Sequence, residues 1–72
     1  MDIKKYKKLI GLNIKSLRVK KALKQIELAD FAQINYTTLS KIECGEQNFT
    51  IETLYSIAEI LKTTPEALLK ID

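Results

Sequence analysis

Apolar side chains recur along this sequence at steps of three and four residues, and no stretch alternates as a half-buried strand would. Tyr6, Ile10, Ile14 and Leu17 follow Ile3 in this way. Leu28, Ala29 and Ala32 come next, then Leu39 and Ile42, then Leu54, Ile57, Ala58 and Leu61. A period near 3.6 lines such residues along one face of a helix, so the chain is predicted to be all-α. The first helix is predicted from Ile3 to near Lys21, with a lysine-rich opposite face. The second runs from Gln25 to Ala32, followed by a tight turn at Gln33-Ile34. Asn35 is a good N-cap for a third helix, which Gly45 ends because glycine adopts a left-handed backbone without strain. Thr50 caps a fourth helix, with Glu52 favouring its positive end. Thr64-Pro65-Glu66 joins a cap, a proline at the first helical position and an acid in the first turn, opening a short fifth helix with Leu68 and Leu69. Five helices in one domain, residues 1–72, is the expected architecture.

A chain of 72 residues buries only ~60% of the surface its unfolded form exposes, so one small core is all it can build. Hydrophobic residues at 46% and charged residues at 29% fit a folded domain rather than a disordered tail. Cys44 is the only cysteine and there is no histidine, so neither a disulfide nor a zinc site can staple the fold. Oligomerisation is then the expected source of extra stability, and no cofactor or metal is expected. The longest apolar stretch, Leu9 to Leu12, is far below the ~20 residues that cross a bilayer, which points to a cytoplasmic protein without membrane contact. Nothing recommends an enzyme: no phosphate-cradling glycine loop and no nucleophile beside a base is present. Cys44 alone reads as an inert small residue, and Glu27 and Asp30 as solvated acids on a helix face.

Charge is placed unevenly. Residues 1–24 carry a surplus of eight positive charges, and residues 25–72 a deficit of five. Such asymmetry suits a polyanion met partly through the N-terminal segment, although lysines that merely solvate a helix face would give the same pattern.

The segment Gln25 to Gly45, QIELADFAQINYTTLSKIECG, resembles the helix-turn-helix of the XRE family, which includes the lambda-repressor and Cro-like DNA-binding domains. Ile10-Gly11 to Arg18 and Asn48 to Leu69 track the same family. The resemblance implies a double-stranded DNA partner, with the third helix in the major groove and the second lying across the backbone. Tyr36, Thr37, Ser40 and Lys41 then become the base readers. Lys41 would donate to guanine, Thr37 would meet a thymine methyl or a base edge, and Tyr36 would contact sugar or a thymine methyl. Without the resemblance, the favoured reading is Tyr36 as an ordinary exposed aromatic and Lys41 as a solubilising charge.

Gln25 matches a glutamine that grips a DNA phosphate in the family, the plain alternative being that it only caps its helix. Asn35, Thr38 and Asn48 are further phosphate candidates, and Lys20, Lys21 and Lys24 would reach the flanking backbone. Arg18 and Glu43 resemble the family's internal salt bridge. The chain departs from the family at Ala22, Gln33 and Lys62, where glycine is frequent, and at Phe49, where proline is. A positive φ at Gln33 would strain a residue with a side chain by roughly 1 kcal/mol.

One recognition helix reads only a few base pairs, so the resemblance implies a homodimer on a palindromic operator. Tyr55, Ile60, Pro65, Ala67 and Ile71, on the fourth and fifth helices, are the interface candidates. No small-molecule effector is expected. Restriction-modification controllers, phage Cro-like repressors and antitoxins all fit, and a protein-binding adaptor on the same fold is the rival from another class.

Overall fold

The computed structural model describes residues 2–71, which form five helices: α1 (Ile3–Lys20), α2 (Gln25–Phe31), α3 (Tyr36–Glu43), α4 (Ile51–Ile60) and α5 (Pro65–Leu69). Most helix starts are set by side-chain caps. Asp2 accepts from the Lys4 amide, Asn35 from Thr37, Thr50 from Thr53 and Thr64 from Ala67, each satisfying a donor that the first helical turn leaves without a partner. At α2 the cap position is Lys24, whose side chain has no acceptor to offer. Glu27 instead reaches back to accept from the Lys24 backbone N–H at 2.8 Å. Glu27 therefore fastens the start of α2 and is not simply a solvated acid.

Four helices end in the same way. After α1, α2, α3 and α4, the residue two past the last helical one donates back to a carbonyl three residues earlier, and the next residue donates to one five residues earlier. This is the Schellman closure, which needs a left-handed residue. Ala22, Gln33, Gly45 and Lys62 hold that position, with φ of 57°, 58°, 76° and 57°. Only Gly45 adopts it freely; at the other three a Cβ crowds the backbone. Ala22→Gly and Lys62→Gly, both at exposed sites, are each expected to stabilise the fold by about 0.5–1 kcal/mol, net of glycine's greater unfolded-state freedom. Thermal unfolding checks this, and an unchanged or lower Tm would show that the strain at these turns does not exceed the unfolded-state freedom that glycine adds.

α1 packs on α3 and α5, α2 on α3 and α4, and α4 on α5. Ile14, Leu28, Leu39, Ile42, Leu54, Ile57, Leu61 and Leu68 are the fully buried side chains at the centre. Tyr6 Oη donates to the Leu69 carbonyl, and Asn13 Nδ2 to the carbonyls of Leu68 and Lys70. The short α5 thus has its terminal carbonyls satisfied by α1.

Two expectations need correction. α2 stops at Phe31, with Ala32 as its C-cap, because the turn through Gln33 closes there. Ile3 is 62% exposed and does not join the buried face; it sits in the first turn of α1, on the rim of an open hollow with Tyr6, Phe49 and Leu69. Among the described residues no helix is long and apolar enough to cross a membrane.

Candidate nucleic-acid interface

α3 has eight residues, and a helix with its side chains is ~10–12 Å across, a thickness that the ~12 Å wide major groove of B-DNA admits. Its inner side is fixed by Leu39, Ile42 and Glu43, all buried. On the other side Tyr36, Thr37 and Lys41 are exposed and Ser40 is half-buried. Steps of four place Tyr36 over Ser40 and Thr37 over Lys41, so these side chains share one surface.

The end of α3 is tied to both preceding helices. Arg18 of α1 donates from Nε to Glu43 Oε2 at 2.8 Å and from Nη2 to Oε1 at 3.1 Å, while its Nη1 donates to the Leu23 carbonyl at 2.8 Å. Glu43 Oε1 also accepts from Gln25 Nε2 at 2.9 Å. The planar guanidinium permits this two-pronged grip, which an ammonium would not. Gln25 is the first residue of α2 rather than its cap, and its side chain joins the start of α2 to the end of α3.

The remaining phosphate candidates lie apart. Asn35 caps α3 through its Oδ1, and Thr38 is half-buried in the first turn that follows. Lys20, Lys21 and Lys24 are exposed around the turn from α1 to α2. Asn48 is exposed in the loop before α4, where its Oδ1 accepts from Lys7 Nζ at 3.0 Å. In the sequence Lys7 reads only as one of a basic run. Nothing local places it against a loop 41 positions away.

The interface candidates divide. Tyr55 is 56% exposed and Ala67 is exposed, with Pro65 half-buried; Tyr55 and Pro65 line one shallow hollow. Ile60 and Ile71 pack partly against the chain's own core, so much of their apolar surface is already covered.

Two short helices joined by a tight turn, the second exposed along one side and braced on the other, define a helix-turn-helix protein, the class that binds DNA. A family model for the helix-turn-helix, HTH_3, matches residues 14–68, and the chain belongs to that family. Among solved structures it is similar to the restriction-modification controller protein C.AhdI from Aeromonas hydrophila, with 24% identity and a TM-score of 0.83 over 85% of this chain and 92% of that one. That likeness is one of fold. The clp gene regulator ClgR from Corynebacterium glutamicum is 25% identical, with a TM-score of 0.85 over 89% of this chain and 68% of that one. An HTH_3 family transcriptional regulator from Vibrio cholerae is 30% identical, with a TM-score of 0.84 over 93% of this chain and 38% of that one. No curated protein matches the chain significantly in sequence.

Proposed function

We propose that residues 1–72 act as a single helix-turn-helix domain of a transcriptional regulator, which binds a palindromic DNA operator as a homodimer with α3 in the major groove. The observation that carries this reading is the two-sided character of α3. Leu39, Ile42 and Glu43 hold it rigidly from behind, while Tyr36, Thr37 and Lys41 stand exposed in front. Lys20, Lys21 and Lys24 would meet backbone phosphates, and Gln25 would add a contact from the start of α2. The body measures 32 × 21 × 20 Å, so one copy covers one stretch of groove. Two copies with recognition helices ~34 Å apart would read successive turns on one face of the duplex, and Tyr55, Pro65 and Ala67 are the apolar surface for pairing.

Selection of binding sites from a random duplex pool, followed by affinity measurements over a salt series, tests this. A palindromic site and a steep loss of affinity with salt are expected. Lys41→Ala and Thr37→Ala should each weaken binding by ~1–3 kcal/mol and relax the preference at one base position. Failure to enrich any site, with salt-insensitive binding, would turn the reading toward a protein-binding adaptor.

A further inference from the structure

The outward side of α1 carries a seam of its own. Lys5, Lys8, Leu12, Lys15 and Val19 follow one another at steps of three, four, three and four, the spacing along which one helix meets another. All five are exposed, Leu12 by 56% and Val19 by 59%. Single exposed aliphatics need no explanation, but these two stand one heptad apart on one line and lysines flank them. Stability does not account for Val19. It packs in no core, and a β-branched side chain is a weaker helix former than an unbranched one. Among the described residues the only ion pair is that of Arg18 with Glu43, so none of Lys5, Lys8 and Lys15 is paired with a carboxylate. The seam is also held rigid from behind. The backbone at Gly11 lies against the last-turn carbonyls of α3, Gly45 lies against the backbone of Lys8, and Asn13 bonds to the carbonyls of Leu68 and Lys70.

We propose that the outer seam of α1 docks an acidic amphipathic helix of another protein, its apolar residues on Leu12 and Val19 and its carboxylates on Lys5, Lys8 and Lys15. Charge complementarity selects this occupant. A second copy of this chain fits worse. Its α1 would set lysine against lysine, and its acid-bearing α4, with Glu52 and Glu59, is the helix assigned above to two-fold pairing. The duplex belongs elsewhere, because α3 lies on the Gly11 side of α1, about a quarter turn round from the seam. From Lys5 to Val19 the seam runs ~21 Å, which about four turns of a partner helix would cover. The proposal does not depend on the DNA reading, and it leaves α3 open for a duplex.

The test uses the whole chain and a synthetic probe, a helical peptide about four turns long with leucines along one face and glutamates beside them. Its control has lysine for every glutamate. NMR titration with the glutamate peptide is expected to give saturating shifts at Lys5, Lys8, Leu12, Lys15 and Val19, and the lysine peptide none. Leu12→Ser combined with Val19→Ser should weaken binding about tenfold through lost apolar contact. Tm and the affinity for the duplex selected above should not change in that variant, since both side chains are exposed and lie off the recognition helix. Lys8→Glu with Lys15→Glu should exchange the preference, so that the lysine peptide binds and the glutamate peptide does not. No saturating shift at about 1 mM peptide, equal binding of the two peptides, or full affinity in the Leu12→Ser, Val19→Ser variant overturns the proposal. Shifts confined to α3 overturn it too, because the peptide's charge would then only have imitated DNA. A loss of duplex affinity in the Leu12→Ser, Val19→Ser variant with Tm intact would give the seam to DNA instead. A wild type that binds the glutamate peptide but no duplex overturns the DNA reading and leaves this proposal standing.

Discussion

Glu43→Ala is expected to destabilise the fold by about 3–5 kcal/mol, the range for removing one partner of a buried ion pair. The side chains of Arg18 and Glu43 are only 10% and 2% exposed, so the remaining guanidinium would stay out of water with no counter-charge. The Gln25 amide would lose its acceptor as well. A domain of this length has roughly 4–11 kcal/mol of stability in total, so the loss is a large share of it. Replacing both members by apolar residues, Arg18→Met with Glu43→Leu, should recover much of the loss because no charge is then left buried. Urea unfolding of Arg18→Met, Glu43→Leu and the double variant gives the coupling energy directly. A single variant that loses less than about 1 kcal/mol would mean that water reaches the pair.

Gly11→Ala is the second large effect, and its sign has to be argued. In an isolated helix the change would be favourable by ~1 kcal/mol. Within this fold a Cβ at Gly11 would stand 2.5 Å from the Ile42 carbonyl oxygen and 2.8 Å from the Glu43 carbonyl carbon, and would also strike the Glu43 carbonyl oxygen. These are backbone atoms in the last turn of α3, and they cannot rotate aside as a side-chain tip would. α1 and α3 would have to separate, loosening the packing of Ile10, Ile14 and Ile42. Overpacking of this kind costs about 3 kcal/mol, which leaves a net loss of about 2 kcal/mol after the helix propensity is set against it and lowers Tm by roughly 8–16 °C. An unchanged or raised Tm in thermal unfolding would show that the two helices cross with more room than these distances allow.

The helix boundaries were legible because their causes are local. Asn35, Thr50 and Thr64 act on amides two or three residues away, and Pro65 and Gly45 mark their ends by their own backbone limits. The start of α2 was less legible, since Lys24 is no cap and the bond comes from Glu27. The surface of the proposed interface was readable in part. The positions of Tyr36, Thr37 and Lys41 follow from helical spacing once Leu39 and Ile42 face inward. The partner of Gln25 does not, because α2 and α3 had first to be docked.

By itself, the sequence determined five helices, most of their caps and the apolar stripe of each, because these signals act within about one helical turn. Only the packed fold placed Gly11 beneath the last turn of α3 and brought Tyr6 to cap α5 across 63 residues, whereas the meeting of Arg18 with Glu43, 25 residues away, was implied by the family resemblance and by no local signal. Packing also decided that Ile3 would be left exposed while Ile10 and Ile14 were buried. Residues of the same type and spacing were separated by what packed against them, and that depends on the crossing of helices rather than on any stretch of chain.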